Sequence, residues 1–143
     1  MTRKINLNFM LVSAVSILLT VCLATVVSYR FFQKEVFSDL SSFAEIIEDL
    51  DFMEQMKDKG FVKPEDELRI TWISEDGSVL YDSYTSGVAL NNHKNRPEIT
   101  QAAQTGKGFC IRKSETMGQN IFFYAKKTED GKFIRIAKEA GSI

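Results

Sequence analysis

The fold is decided in two stretches of the C-terminal part of the chain, residues 68–82 (LRITWISEDGSVLYD) and residues 120–138 (NIFFYAKKTEDGKFIRIAK). Each stretch contains two runs rich in β-branched and aromatic residues, separated by an Asp-Gly dipeptide. Such runs are typical of strands, and Asp-Gly readily adopts the positive φ angles that tight hairpin turns need. The two stretches therefore predict two β-hairpins, with strands at 68–74, 79–82, 121–127 and 132–138.

Between the two hairpins the sequence predicts one short helix and one further strand. Pro97 suits the first turn of a helix and Gly106 its end, with Asn95 as the predicted N-cap. Two strands before this helix and three in succession after it favour one antiparallel sheet with helices against one face, an α+β fold. The predicted segments are a loop at 83–95, the helix at 96–105 and a strand at 108–114.

Residues 30–60 predict a long amphipathic helix ahead of the sheet. Its apolar residues recur every three or four positions, and neither Pro nor Gly interrupts it before Gly60, the expected C-cap. Eight acidic and four basic residues make its polar side acidic. Such a stalk helix either packs on its own sheet or pairs with a second copy, and the pattern leaves both open. The predicted apolar stripe is Val36, Leu40, Phe43, Ile47 and Leu50.

The first thirty residues contain an uncharged run from Ile5 to Tyr29. This run exceeds the roughly 20 residues that a helix needs to cross a bilayer, and aromatic residues and Arg30 follow it as at a membrane interface. It is longer than the apolar core of a usual signal peptide and lacks a clean small-x-small cleavage motif. An uncleaved anchor is therefore favoured over a cleavable secretory signal, and we predict a transmembrane helix at 9–29.

The orientation of this helix in the membrane is predicted from the lengths of the segments before and after it. Basic residues lie on both sides of the run, so their count decides little. We expect the short N-terminus to stay in the cytoplasm, which places everything after Arg30 outside the cell membrane. The predicted organisation is a cytoplasmic N-terminus at 1–8, a transmembrane helix in contact with lipid at 9–29, the stalk helix at 30–60 and an extracytoplasmic globular domain at 61–143.

The composition excludes several classes of function. Eighteen basic and nineteen acidic residues give a formal net charge of −1, which is not the footprint of a nucleic-acid-binding protein. Two cysteines and one histidine provide neither a disulfide framework nor a metal site. His93 has no nucleophile and acid at a spacing that would make a catalytic set. We expect no catalytic residue, no metal ligand and no cofactor in this chain.

Seven short motifs are spread over residues 68–138: RITWI at 69–73, DGSVLYDS at 76–83, NHKNRPEI at 92–99, GKG at 106–108, RKSETMG at 112–118, YA at 124–125 and DGKFIR at 130–135. Together with the anchor and the long helix, they resemble, in family order, the extracytoplasmic input region of bacterial two-component sensor histidine kinases. The resemblance is closest to the phosphate-regulon sensor kinases. It implies a PAS-like (single Cache-type) domain, with a five-stranded antiparallel sheet behind a long N-terminal helix.

The function that this resemblance implies is signal input. Binding of a small molecule or a protein, neither of which the motifs specify, changes the conformation, and a dimer formed through the stalk helix transmits the change. In the family a second membrane helix and a kinase core follow, whereas this sequence stops at Ile143 before them, so kinase activity belongs to a longer parent protein. Two alternatives stay open: a free-standing membrane-anchored binding or adaptor protein, and the input half of a chemoreceptor or a cyclic-dinucleotide enzyme.

Four polar residues inside the motifs are candidate ligand-binding residues. Arg112 lies on a predicted strand, where a basic side chain suits an anion. The favoured alternative is structural, because polar residues near turns commonly satisfy backbone groups: Asp82 then pairs with Arg96 or Arg112, and His93 hydrogen-bonds its loop. The four candidates are Asp82, His93, Arg96 and Arg112.

Overall fold

Five strands form one antiparallel sheet in the computed structural model, which describes residues 2–49, 68–84, 91–113 and 119–140, the side chains of 2–7 and 49 excepted. The predicted α+β fold is confirmed, and each predicted strand lies within one residue of its observed position. In chain order the elements are α1 (Thr2–Asp49), β1 (Leu68–Ile73), β2 (Val79–Asp82), α2 (Pro97–Thr105), β3 (Lys107–Lys113), β4 (Asn120–Lys127) and β5 (Phe133–Glu139).

The strand order in the sheet is β2-β1-β5-β4-β3, and all neighbouring strands are antiparallel. The first and last strands in sequence lie side by side at its centre, with Ile70 opposite Ile136. Both hairpin turns contain a glycine with a left-handed backbone, at φ 90° for Gly77 and 84° for Gly131. Because a Cβ atom is strained in this conformation, the two Asp-Gly turns are confirmed on physical grounds.

Helix α2 has the predicted start and end but not the predicted cap. Pro97 occupies its first turn, and Gly106 ends it with a left-handed backbone and an N–H donated to the carbonyl of Ala102. The prediction of Asn95 as N-cap is wrong, since Arg96 occupies that position without a capping side-chain hydrogen bond to the described residues. Proline at the first position compensates in part, because it has no N–H to satisfy and its φ is already helical.

One face of the sheet is covered by residues 36–48 of α1. The ring of Phe37 lies 5.7 Å from the ring of Phe122, and the hydroxyl oxygens of Ser41 and Tyr124 are 3.1 Å apart. Phe122 and Tyr124 are two positions apart on β4, and side chains two positions apart on a strand point to the same face of the sheet. Residues 36–48 of the predicted stalk therefore pack on the sheet of their own chain.

The predicted apolar stripe of this helix needs one correction. Val36, Leu40 and Ile47 are buried as predicted, but Phe43 is 41% exposed and Ala44 is fully buried in its place. Positions 43 and 44 are both about one turn from Leu40, so the periodicity alone could not separate them. Leu50, the expected helix end at Gly60 and the linker before β1 lie outside the described residues.

The other face of the sheet is covered by α2. Ile99 and Ala102 of this helix form an apolar cluster with Ile73, Ala125 and Phe133. The prediction that the helices lie against one face is wrong: each face has its own helix. Successive residues of a strand point to opposite faces of the sheet, so a strand with apolar residues at successive positions needs cover on both faces. The burial of five successive residues in β5 fits this arrangement.

The chain divides into two compact units, Met1–Glu35 and Val36–Ile143. In the first unit the side chains of residues 8–31 are exposed, including large apolar ones such as Phe9, Leu18 and Leu23. Within the described residues, Asn8–Glu48 is the helical segment whose length and composition would allow it to cross a membrane. An apolar surface that the described residues leave uncovered fits a helix surrounded by lipid, so a single-pass membrane protein is consistent with this structure.

Candidate functional site

A cleft of about 490 Å³ lies on the α2 face of the sheet, and positive charge dominates its lining. Ile121 and Phe123 of β4 give it an apolar wall, and Asn91 and His93 come from the segment before α2. The remaining lining residues are all cationic: Arg69, Arg96, Arg112, Lys113 and Arg135. We refer to this site as the cationic cleft.

The candidate residues from the sequence converge on this cleft. His93, Arg96 and Arg112 line it directly. Asp82 lies beside it, bonded to the lining residue Arg69. Residues far apart in the sequence, from the first hairpin, the loop and β3, are thus brought to one face of the sheet.

Asp82 is held by an ion pair and two further hydrogen bonds. Arg69 Nε donates to its carboxylate oxygens at 3.1 and 3.0 Å, Thr71 Oγ1 donates at 2.9 Å, and the N–H of Tyr84 donates at 3.0 Å. Burial opposes ionisation of this carboxyl group, but the hydrogen bonds from Arg69 and Tyr84 outweigh it, so the pKa of Asp82 lies below its usual value. Asp82 is therefore an anion at neutral pH.

The prediction that Asp82 pairs with Arg96 or Arg112 is wrong. Asp82 pairs with Arg69, while Arg112 pairs with Glu98 instead. The reason is register: Asp82 lies opposite Thr71, and Arg69 is two residues before Thr71 on the same side of β1. The cation therefore comes from the neighbouring strand β1, and not from Arg96 or Arg112.

Glu98 joins two arginines on the other side of the cleft. Its side chain is completely buried, and its Oε1 lies 2.8 Å from Arg112 Nη2 and 3.7 Å from Arg135 Nη1. Gly108 allows α2 to approach this closely, since a Cβ atom there would lie 1.9 Å from the Glu98 carbonyl oxygen. Arg135 also donates from Nη2 to Thr71 Oγ1 at 3.1 Å, which connects this group to the Asp82 network.

Phe123 supports both guanidinium groups. The Cζ atom of Arg112 lies 4.1 Å from the centre of its ring, and that of Arg135 lies 5.5 Å away. Cation–π attraction of this kind is worth about 0.5–2 kcal/mol and fixes the orientation of a guanidinium plane. The two arginines are thus held in place before any ligand arrives.

Several polar atoms of this cluster are buried without a hydrogen-bond partner among the described residues. They include the Nε atoms of Arg112 and Arg135, Oε2 of Glu98 and Nδ1 of His93. A buried donor without an acceptor is costly, and native proteins contain few of them. These atoms are gathered at one cleft, so the cleft has hydrogen-bonding capacity that the described residues do not use.

His93 is 6% exposed and fixes the loop through its backbone. Its N–H donates to the Gly77 carbonyl at 2.8 Å, and its carbonyl accepts from the Arg96 N–H at 3.0 Å. Burial is the main reason why the pKa of the imidazole falls to about 4. The positive charges of Arg135, Arg96 and Arg69 lower it as well, while the negative charge of Asp82 raises it. The His93 side chain is therefore neutral at physiological pH. Its main chain makes these loop hydrogen bonds, whereas Nδ1 of the side chain has no partner among the described residues.

The charges of the cleft do not balance. Among the described residues, five cationic lining residues face the carboxylates of Asp82 and Glu98, which is a formal excess of three positive charges. Burial lowers the pKa of Arg135 to about 10, partly offset by Glu98, so this guanidinium still carries its charge at neutral pH. In the part of the chain that the structure describes, no group of three or more His, Cys, Asp or Glu residues is placed to hold a metal ion. The chemistry that this arrangement supports is binding of an anion.

Three residues of this site, Arg69, Glu98 and Arg135, were not predicted from the sequence. Arg69 and Arg135 each interrupt an apolar strand run (LRITWI and FIRIA), and a cation at an interior strand position is the signal that could have identified them. Glu98 lies in the first turn of α2, where the sequence indicates only a carboxylate that suits the helix dipole. Its complete burial depends on the helix position and could not be seen in the sequence.

Comparisons with known proteins do not assign this chain to a family. No family model matches the chain, and no curated protein matches it. One solved structure with similarity to it is described as the "extracellular domain of the putative histidine kinase rpHK1S-Z16", with a TM-score of 0.44 and 14% sequence identity. The similarity covers 64% of this chain and 38% of that one, so this chain spans less than half the length of that structure.

Proposed function

We propose that this chain is the extracytoplasmic signal-input region of a membrane-bound sensor histidine kinase, with a PAS-like (single Cache-type) domain of the phosphate-regulon group. Its N-terminus lies in the cytoplasm, and the domain that follows the span lies outside. The observation that carries the proposal is the division of the sheet. One face packs on the helix that also contains the candidate membrane span, and the other face contains the cationic cleft.

The mechanism follows from this division. A stimulus bound at the cleft shifts the packing of the sheet only if it binds two arrangements unequally. A tenfold change in output requires about 1.4 kcal/mol of such preference. Residues 36–48 of α1 contact strands whose opposite side lines the cleft, for example through Phe122 beside Phe123 on β4. A displacement of β4 therefore reaches α1 through direct contacts.

The proposal has three independent supports. The seven motifs occur in family order over residues 68–138. The fold has the five antiparallel strands and the long N-terminal helix that the resemblance implies. The apolar part of that helix, residues 9–29, is exposed throughout, as an anchor in lipid requires.

The coding sequence downstream of codon 143 tests the output that we propose. We expect a second membrane helix, then a helix with an acceptor histidine, then an ATP-binding domain. A stop codon would favour the free-standing binding or adaptor protein instead. A methyl-accepting coiled coil or a cyclic-dinucleotide domain would favour the other alternative, and each of these results contradicts the kinase assignment.

Protease treatment of whole cells tests the orientation. With an epitope tag after Ile143, we expect added protease to remove the tag from intact cells. A tag that is protected in intact cells, and is digested only after the cells are opened, would place the domain in the cytoplasm. That result would contradict the proposed localisation whatever the output domain is.

The proposal includes a homodimer through the stalk helix. Phe43 and Ile46 are 41% and 53% exposed, on the side of α1 that the sheet does not cover. Two copies anchored in one membrane have the same orientation, so a two-fold axis along the membrane normal brings this side of one helix against the same side of the other. The apolar patch is small, and pairing here would bury it.

Cysteine crosslinking in membranes tests the dimer, in a Cys22→Ser, Cys110→Ser background. Cysteines placed at positions 43 and 46 should link two copies, whereas cysteines at the sheet-packed positions 40 and 44 should not. Equal linking at all four positions, or none at 43 and 46, would contradict a dimer through this side of the helix.

A further inference from the structure

Among the described residues, the cationic cleft contains more positive charge than its carboxylates neutralise. Arg69 has Asp82 as its partner, and Arg112 and Arg135 share a single oxygen of Glu98. Arg96 and Lys113 have no carboxylate partner among the described residues. Like charges held together in a partly dehydrated site repel each other, and an anion from outside relieves that repulsion.

The hydrogen-bonding capacity of the cleft points the same way. Arg135 is 97% buried, yet its Nε has no acceptor within the described part of the chain. Arg112 Nε is in the same state, and both guanidinium groups are oriented by the ring of Phe123. Guanidinium donors match the oxygens of carboxylate and phosphoryl groups, which accept two bonds from one fork.

The size and the wall of the cleft narrow the ligand further. A volume of about 490 Å³ falls in the range of small-molecule sites and far exceeds that of a simple inorganic ion. Ile121 and Phe123 add apolar surface beside the arginines, which suits a hydrocarbon portion of a ligand. The formal excess of three positive charges among the described residues favours a ligand with more than one negative charge.

We infer that the cationic cleft binds a small organic anion with at least two negative charges, carried by carboxylate or phosphoryl oxygens. Arg96 and Arg112 contact these oxygens, and the charge of the buried Arg135 adds to the attraction. This inference rests on the proposed function, since it names the class of ligand that the input region detects.

Titration of the full chain in a nonionic detergent tests the inference, at about 0.15 M sodium chloride so that weak ionic attraction is screened. The probes are succinate, citrate and glycerol 3-phosphate, with inorganic phosphate as the small anion and succinamide as the uncharged analogue of succinate. We expect at least one organic anion to bind saturably in calorimetry and to raise the Tm, while succinamide does neither. The carboxylate and phosphate probes then identify which oxygen source the cleft prefers.

Two neighbouring substitutions separate a specific site from general attraction. Arg96→Gln and Lys94→Gln each remove one exposed positive charge, but only Arg96 lines the cleft. We expect Arg96→Gln to weaken binding of the anion about tenfold and Lys94→Gln to change it by less than about twofold. Lys113→Gln, at the end of β3, is a second exposed variant that should act like Arg96→Gln.

Three results would overturn the inference: no probe binds, succinamide binds as well as succinate, or Lys94→Gln weakens binding as much as Arg96→Gln. These failures differ from a failure of the proposed function. A chain that binds no anion but precedes a kinase core leaves the input role intact. A chain that binds an anion but precedes no output domain retains the site and loses the kinase assignment.

Discussion

The two faces of the sheet use the same five strands but bury different chemistry. The α1 face buries aromatic and aliphatic side chains, among them Leu40, Phe122 and Ile136. The α2 face has its own small apolar cluster, yet it also buries Glu98 and Arg135. Apolar burial stabilises a fold, whereas buried charges commonly cost free energy unless they are fully paired. We conclude that folding stability depends mainly on the first face and ligand recognition on the second.

The largest expected effect on stability comes from removing apolar volume from the α1 face. Leu40 is completely buried, so Leu40→Ala should lower the free energy of unfolding by about 3 kcal/mol. The matched control is Phe43→Ala on the exposed side of the same helix, in detergent in which the chain is monomeric so that no dimer contact contributes, with an expected loss below about 1 kcal/mol. Thermal or denaturant unfolding of the full chain in detergent measures both. Equal losses would show that this helix does not supply the core.

The second prediction concerns the buried carboxylate of the α2 face. Glu98→Gln removes the negative charge shared by Arg112 and Arg135, so the free energy of unfolding should fall by about 2 kcal/mol. Glu45→Gln is the control, because its ion pair with Lys107 is half exposed and should contribute less than about 1 kcal/mol. Unfolding curves for both variants test this. An unchanged stability of Glu98→Gln would mean that the arginines do not depend on this carboxylate.

The third prediction is a dependence of stability on pH that belongs to the α2 face. The pKa of His93 is about 4 in the folded chain, against an ordinary value of 6.5. As the pH falls from about 7 towards 4, the unfolded chain takes up a proton before the folded chain does, so the folded state loses stability. His93 is the one histidine of the sequence, and His93→Gln should flatten the decrease of Tm by a few degrees over this range.

The test of this pH effect is a series of thermal unfolding curves between about pH 7 and pH 5 for both proteins. Parallel curves for the two proteins would contradict a neutral, buried imidazole. A bound anion should diminish the pH effect, because it offsets the repulsion between imidazolium and guanidinium groups.

The smallest expected effect compares two adjacent serines of α1. Ser41 bonds to the hydroxyl of Tyr124 across the boundary between helix and sheet, whereas Ser42 donates to the Ser38 carbonyl within the helix. Ser41→Ala should lower the free energy of unfolding by about 1 kcal/mol, and Ser42→Ala should leave it nearly unchanged or raise it slightly. A larger effect at Ser42 would contradict the orientation of this helix on the sheet.

The sequence predicts the elements of this fold because their signals are local. Asp-Gly at 76–77 and 130–131, Pro97 and Gly106 each act on their immediate neighbours, and each was placed correctly. The helix faces were harder, because positions 43 and 44 are both about one turn from Leu40 and flank it on opposite sides. Which of them is buried depends on the volume available at the sheet.

The candidate site was predictable only in part, because its residues lie in local motifs but their partners do not. The motif residues His93, Arg96 and Arg112 do converge on one cleft. Their partners could not be predicted, because the pairing of Asp82 with Arg69 depends on strand register. The contact of Arg135 with Thr71 likewise joins strands 64 residues apart in sequence.

Hydrogen exchange of the full chain in lipid nanodiscs tests most directly whether the two faces communicate, with the tightest-binding anion at saturation. The account predicts that the anion alters exchange of amides in β4 and also in residues 36–48 of α1, by about tenfold, and that Arg96→Gln shifts both changes together to about tenfold higher anion concentration. An anion that alters exchange only in the residues lining the cleft, with α1 unaffected, would contradict the claim that binding on one face is transmitted through the other.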